Sequence, residues 1–571
     1  MMTLAIRRLL IFGACGMLLL FCGKVWAYSS VTVPIEDPVY RQLDKLAAHG
    51  LITTMMEGQR PYVRAEIARL LAEAMENFSK KFPNAESSPQ LSQGFSDKQD
   101  YVRGILDELK AEYQDELIQI HALEGEVPRW QGAPIEQASV DVLYLTEEKD
   151  SFPSNNGLGG LGAGIQPLVE NRGGRHYVQG FNFALESEHW MRLGKYFSVQ
   201  ASPRFQIQSP SEGDPMENKV FVQRLNGHFT WNKLDIEIGR DALNWGPTPE
   251  GGLAFSNNAR PLDFIKLSSV SPFRYPFLFK KIGLNEWSLV VANLGPEQKF
   301  KNPWFVSYKN SNRGNPYFEL GFSQTLILGG EGAPPISFGQ GVAEFFGAGS
   351  GNGTKSNRNF SVDLHGRVPK LRGLQLYGEL YFEDFDFNAN LLFVYDLSYL
   401  AGLRLPRLND SGTVDLRLEY RHLSPRYARS PVFTDGITEN RFLIGDPLGP
   451  DSQGVLAEVN WDIDPKNLLS MGFQWSRRRD DAFLIQSQNG DVKAIDTVYH
   501  GIPEDRFLGR VGIRHRFNSH LVGRLGVGME GVQHFAFRRN DDRLNWMGEG
   551  GLTFYFRPYL QVKRSSGLEK H

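Results

Sequence analysis

The chain has 571 residues, including 59 glycines, and 12% of its residues are aromatic. Because no Gly-X-Y repeat is present and proline is ordinary at 31 residues, the composition excludes collagen and low-complexity disorder. The 62 basic and 65 acidic residues leave a net charge of −3, which gives no electrostatic reason to bind nucleic acid.

Residues 1–27 have the pattern of a secretory signal peptide. Arg7 and Arg8 precede an apolar run from Leu9 to Cys22, and short residues lead to a cleavage position after Ala27. A membrane-spanning helix needs about 20 apolar residues, so a retained anchor is the weaker alternative. Both cysteines of the chain leave with this segment, so we expect a mature protein without disulfides or cysteine ligands.

Residues 28–136 are predicted to form a small α-helical periplasmic unit. Asp37 can cap a first helix that Pro38 opens and Gly50 ends, and a second helix follows Pro61. Ser96 and Gln99 form the capping box of a third helix. The apolar stripes of the three helices contain Val39, Leu43, Leu46 and Ala47; Ile67, Leu70, Leu71 and Ala74; and Val102, Leu106, Leu109, Tyr113 and Leu117.

Charge separates this unit from the rest of the chain. It holds 11 basic and 18 acidic residues, a net charge of −7, whereas the residues that follow carry +1. An ordinary solvated face explains such acidity, so we interpret the unit as an acidic, soluble appendage.

From residue 137 to 562 the apolar period changes from 3.6 to 2, which indicates β-strands. Residues 360–368, 374–383, 413–421 and 521–530 alternate apolar with charged or polar side chains. A soluble sandwich and an outer-membrane barrel both produce this alternation, and they differ in which face meets water.

Strand length and connections favour the membrane barrel. The strands run about 9 to 13 residues, longer than the 5 to 6 that are typical of soluble sheets. Tight turns, such as those at Gly194 and Asn232, alternate with long loops rich in Gly, Pro and Asn, and aromatic residues cluster near strand ends. We therefore predict an all-β transmembrane barrel in the outer membrane of a Gram-negative bacterium, with roughly 16 to 20 antiparallel strands.

The last predicted strand has the form of a barrel assembly signal. Gly551 lies two residues after Glu549, and the aromatic residues Phe554 and Phe556 lie three and five residues after that glycine. This pattern resembles the signal that the barrel-assembly machinery recognises in terminal strands. The chain continues through a tail of residues 563–571, whereas such signals commonly end near the terminus.

No motif predicts catalysis or a cofactor. The sequence contains no Gly-x-Ser-x-Gly nucleophile elbow, and its 12 histidines are not at metal-ligand spacing. We expect a protein that is not an enzyme and holds neither a metal nor a cofactor.

The densest unusual stretch lies between residues 239 and 267. It offers Arg240, Trp245, Asn257, Asn258 and Arg260 as candidate polysaccharide-binding residues. Aromatic rings pack on the apolar faces of sugars, while amide and guanidinium groups bind hydroxyls and carboxylates. The alternative is a structural loop that folds into the barrel and is fixed by its own Asn and Pro turns.

The runs Gly239-Arg240, Trp245-Gly246-Pro247 and residues 256–261, with residues 445–452 further along, resemble the Wzi family of outer-membrane capsule-assembly proteins. The resemblance implies an 18-stranded barrel with a periplasmic helical unit. It also implies a surface lectin that attaches or organises capsular polysaccharide or exopolysaccharide.

Three functions follow as hypotheses. The first is a polysaccharide-binding barrel that contacts outer-membrane lipid and the assembly machinery, is expected to be a monomer and binds no nucleic acid. The alternative is an outer-membrane channel or polysaccharide export conduit. The third is a lipid-modifying enzyme, for which no residue stands out.

Overall fold

The computed structural model describes residues 28–83, 98–152, 161–211, 215–346, 355–383, 397–430, 432–488, 491–498, 502–556 and 560–562. The predicted signal peptide, the capping residue Ser96 and the tail of residues 563–571 lie outside these ranges.

Eighteen antiparallel strands form one closed barrel, which confirms the predicted fold class. Each strand pairs with the next along the chain, and the last pairs with the first from Gln137 opposite Tyr555 to Leu145 opposite Met547. In chain order the strands are β1 Trp130–Leu145, β2 Gly180–Leu193, β3 Phe197–Pro210, β4 Glu217–Trp231, β5 Leu234–Asp241, β6 Leu262–Ser269, β7 Leu284–Asn293, β8 Trp304–Asn315, β9 Phe318–Leu328, β10 Ser356–Val368, β11 Leu374–Glu383, β12 Ser398–Leu405, β13 Val414–Leu423, β14 Ser452–Asp464, β15 Asn467–Arg478, β16 Glu504–Asn518, β17 Leu521–Gln533 and β18 Arg543–Tyr555.

The first strand corrects the expected boundary between the two units. β1 begins at Trp130 rather than near Gln137, and its first residues pair with Leu193 and its neighbours on β2. A register shift between Ala133 and Gln137 divides the strand. The irregularity interrupts the period-2 pattern, so the sequence shows the regular alternation only beyond it.

The barrel is inverted relative to a soluble protein. On β10 and β11 the charged residues Asp363 and Glu379 are at most 2% exposed, while Leu364 and Leu376 on the outer wall are 43% and 47% exposed. Apolar side chains on an outer wall suit lipid, and buried charges suit a polar lumen. Exposed aromatics follow both rims, with Trp130, Phe197 and Trp231 at one and Phe181, Trp304 and Trp546 at the other.

This wall identifies an outer-membrane barrel. Short turns face the periplasm in such barrels and longer loops face outward, so we call the two ends the periplasmic end and the loop end. At the loop end, β5–β6, β7–β8 and β13–β14 are joined by residues 242–261, 294–303 and 424–451. A helix, Phe338–Phe345, lies between β9 and β10.

The described residues of the N-terminal unit form four helices: α1 Val39–Ala48, α2 Arg64–Lys81, α3 Lys98–Glu112 and α4 Gln114–Gln119. The backbone N–H of Val39 donates to the Asp37 carboxylate at 2.8 Å, as the predicted cap requires. The predicted stripes form one buried cluster, although Leu117 belongs to α4 rather than to a continuous third helix. Within the described part of the chain, no helix has the length and apolar character needed to cross a membrane.

The helical unit is docked into the periplasmic end and is not a free appendage. The Arg41 guanidinium donates to Asp415 and Asp462 at 2.8–2.9 Å, and the ammonium of Lys45, whose side chain is fully buried, lies 3.0 Å from Asp415. Arg41 and Lys45 thus face carboxylates of the barrel lumen. Net charge describes the whole unit and conceals this arrangement, which explains why the sequence suggested a solvated domain.

Candidate functional site

Two loops fold back from the loop end and fill the lumen. Residues 242–261 and 424–451 contribute Phe255, Tyr427 and Leu443 to one buried cluster with inward side chains of the wall such as Phe305 and Tyr381. We call these two loops the plug. The apolar core of the barrel therefore lies inside it, toward the loop end.

The plug contains most of the residues that resemble the Wzi family, whereas Gly239-Arg240 and Ser452 lie on β5 and β14. The Ser256 hydroxyl donates to the Gly445 carbonyl at 2.6 Å, and the Tyr427 hydroxyl donates to the Leu253 carbonyl at 2.5 Å. A Cβ at Gly445 would lie 2.1 Å from the Leu253 carbonyl oxygen, so the two segments meet at a place where only glycine fits. The motifs therefore hold the two loops together.

Trp245 lies inside this core. Trp245 is 2% exposed, and the centroid of its ring is 4.6 Å from that of the Phe255 ring. The backbone of Asn244–Trp245 pairs with Gln59–Arg60, which reaches up the lumen from the helical unit. A residue that is 2% exposed has no free ring face for a sugar, so the structure gives Trp245 a packing role in place of the predicted stacking role.

Asn257 and Asn258 connect the plug to other segments. The Asn257 amide donates to the Glu36 carboxylate at 3.0 Å and to the Asn171 carbonyl at 3.2 Å. The Asn258 amide donates to the Leu443 carbonyl at 3.0 Å. These are the turn-fixing contacts of the structural alternative, and both residues are less than 8% exposed.

The two candidate arginines lie apart. Arg260 pairs with Glu439 across the plug, and 27% of its side chain is exposed. Arg240 is on the outer wall near the loop end, where its guanidinium makes two hydrogen bonds of 2.6–2.8 Å to Asp263. The structure thus brings Trp245, Asn257, Asn258 and Arg260 into one plug and leaves Arg240 on the opposite face of the barrel wall.

A polar cavity of about 430 Å³ remains in the lumen beside the plug. Its lining includes Glu36, Arg175, Glu186 and Arg204, and Arg175 bridges the two carboxylates at 3.3 Å and 3.0 Å. Charges of both signs line it and neutralise one another. That balance is typical of a salt-bridged interior rather than of a selective ion path.

A second cavity of about 540 Å³ opens at the loop end, and we call it the loop groove. Its charged lining residues are Lys149, Lys219, Arg441 and Glu297, and His176 lies among them. Three loops and the first residues of β4 bring these residues together from positions 149 to 441. No spacing in the sequence marks them as one group, which explains why sequence reasoning missed the groove.

The terminal strand has the predicted alternation. Phe554 and Phe556 are 41% and 47% exposed on the outer wall, whereas Glu549 faces inward and pairs with Arg172 at 2.8 Å. A Cβ at Gly551 would lie 2.4 Å from the Asp141 carboxylate, so glycine fits the lumen side there. Recognition by the assembly machinery stays a prediction.

The fold and its filled lumen define a plugged outer-membrane β-barrel. A family model described as capsule assembly protein Wzi matches residues 153–546. Since this match covers more than half of the chain, the protein belongs to the Wzi capsule assembly family, which confirms the resemblance seen in its sequence. A comparison with curated protein sequences gives no match.

A solved structure shows the same fold. The chain is similar to Wzi of Escherichia coli, which is described as an outer membrane protein involved in group 1 capsule assembly and a carbohydrate-binding β-barrel. Identity is 14% and the TM-score is 0.60, over 92% of this chain and 100% of that chain. OprD and OpdQ of Pseudomonas aeruginosa are 7% and 9% identical, with TM-scores of 0.40 and 0.41, over 76% of this chain and 97% and 98% of theirs.

Proposed function

We propose that this protein is a surface lectin of the outer membrane that helps to attach or organise capsular polysaccharide or exopolysaccharide. Membership of the capsule assembly family supports this function. The single observation that carries it is the plug, because a barrel filled by its own loops directs ligands to the surface of those loops rather than through the lumen.

The filled lumen also weighs against the channel hypothesis. The plug occupies the loop end, and the helical unit is bound to the wall at the periplasmic end through Asp415, Asp462 and their cationic partners. A conduit for a polymer would need both closures to move. We propose that the protein acts as a monomer, without catalysis, and that terminal-strand residues from Glu549 to Phe556 are read by the barrel-assembly machinery.

Deletion of the gene and complementation test the function. We expect deletion to shift polysaccharide from the cell pellet to the medium, with total synthesis unchanged, and complementation to restore attachment. Unchanged partition between pellet and medium would contradict the lectin hypothesis. Planar-bilayer recordings of the purified protein separate the alternative, because a large steady open conductance would favour a channel.

A further inference from the structure

The loop groove has an excess of cations that the described residues leave only weakly neutralised. Lys219 and Arg441 pair with Glu217 and Glu297 at 2.7 Å and 3.7 Å, and all four side chains are about half exposed or more. Exposed pairs of this kind contribute little free energy and exchange readily with another anion. The groove can therefore offer these cations to a ligand at low cost.

Lys149 is the third cation, and within the described residues it makes no ion pair. Its ammonium lies 5.1 Å from the centroid of the Phe442 ring, which also contacts the His176 ring at 4.7 Å. Burial and the nearby Arg441 lower the pKa of Lys149, and burial together with Lys149 lowers the pKa of His176 to about 4. Positive charge thus accumulates here, and His176 stays neutral at neutral pH.

The backbone presents Arg441 at the tip of a tight hairpin. Asn440 and Arg441 join Thr438–Glu439 to Phe442–Leu443, with φ of +48° and +64°. Two-residue turns of this type favour Asn followed by Gly, since both central residues need a positive φ. An arginine at the second position carries conformational strain, and such strain clusters at ligand-binding sites.

The groove opens into the mouth of the barrel and away from lipid. Lys219 is the cross-strand partner of Gln206, whose side chain is buried on the lumen side, whereas the next residue, Val220, is 78% exposed on the outer wall. The half-buried side chain of Gln179 lies along the same lining. A polymer arriving from outside can reach these groups, and a lipid headgroup at the outer wall is separated from them by the barrel.

We propose that the loop groove binds an acidic polysaccharide, with uronate carboxylates held by Lys149, Lys219 and Arg441 and hydroxyls by the amide of Gln179. The volume is within the range of sites that enclose small ligands, so the groove would hold a short segment of the chain. This inference rests on the proposed function, because it names the class of polysaccharide.

The test uses the full mature protein in lipid nanodiscs and calorimetric titration with an oligogalacturonate and its carboxyl-reduced counterpart. We expect the acidic oligomer to bind, the reduced oligomer not to bind, and salt to weaken the affinity. Lys149→Gln and Arg441→Gln should each lower the affinity about tenfold, since bonds to charged groups are the stronger ones. Arg538→Gln is the matched control, because Arg538 is 70% exposed at the loop end and does not line the groove.

Heat-modifiable migration in gels establishes that each variant is folded. Absence of binding by the acidic oligomer, equal binding of the two oligomers, or wild-type affinity in the Lys149→Gln/Arg441→Gln double variant would overturn the proposal. Competition by lipopolysaccharide phosphates alone would overturn it as well. In cells, a double variant that retains polysaccharide normally while the deletion does not would refute the groove and leave the proposed function standing.

Discussion

Glu57 joins the helical unit to the barrel, and its loss should loosen that junction. The carboxylate is 9% exposed and lies 2.6 Å from the Arg367 guanidinium, 3.3 Å from that of Arg313 and 3.6 Å from the His365 ring. In Glu57→Gln, Arg313 keeps its 2.7 Å partner Glu319, but Arg367 is left buried without a carboxylate. Removing one partner of a buried pair costs about 3–5 kcal/mol.

That cost corresponds to a roughly 140-fold to 3,700-fold increase in the equilibrium constant for undocking. Native-state hydrogen exchange of the α1 and α2 amides measures it, because these helices lose protection when the unit leaves the barrel. The control is Glu76→Gln, which removes an exposed carboxylate of α2 and should leave protection unchanged. Protection in Glu57→Gln within about threefold of wild type would refute the reasoning, since ~0.6 kcal/mol is too small for a buried pair.

Three further predictions concern acid, the plug and the terminal strand. Burial raises the pKa of Glu57, but the neighbouring Arg367, His365 and Arg313 hold that pKa well below its usual value. The stabilisation is therefore complete above pH 4.5 and is lost as the pH falls through the lower folded-state pKa. Amide protection of α1, corrected for the intrinsic exchange rate, should show this acid step in the wild type and not in Glu57→Gln, and identical profiles would contradict the assignment. Gly445→Ala should displace the plug and raise bilayer conductance, whereas Gly472→Ala, with no atom within 4 Å of its added Cβ, should not; silent recordings from both variants would show that the contact is dispensable. Phe556→Ala should lower the amount of folded barrel in the outer membrane, whereas Phe517→Ala, also exposed on the outer wall, should not. Equal amounts of the two folded variants would contradict the prediction that the terminal strand carries an assembly signal.

The plug changes how the family motifs are interpreted. Asn258 was a candidate for binding polysaccharide, yet here Ser256, Asn258 and Gly445 join two loops to each other. Their value as a family signature follows from this role, because a glycine contact and an amide bond between loops tolerate few substitutions. Residues that contact polysaccharide on an exposed surface are under no such packing constraint.

The sequence by itself determined the architecture. Alternation on β10, β11 and β13 predicted strands with one lipid face, and the helical stripes predicted the buried residues of α1 and α2, because local periodicity reports which face is apolar. Summed over lipid-facing and lumen-facing residues, the same alternation gives the mean hydropathy of −0.34, which by itself resembles that of a soluble protein.

Tertiary structure alone decided what the charges do. The net −7 of the helical unit gave no sign that Arg41 and Lys45 would meet Asp415, and the spacing of residues 149, 219 and 441 gave no sign of a groove. These contacts join residues separated by tens to hundreds of positions, through loops whose paths depend on the closed barrel. Periodicity is a local property of the chain, whereas a binding site assembled from three loops and a strand exists only after the barrel has closed.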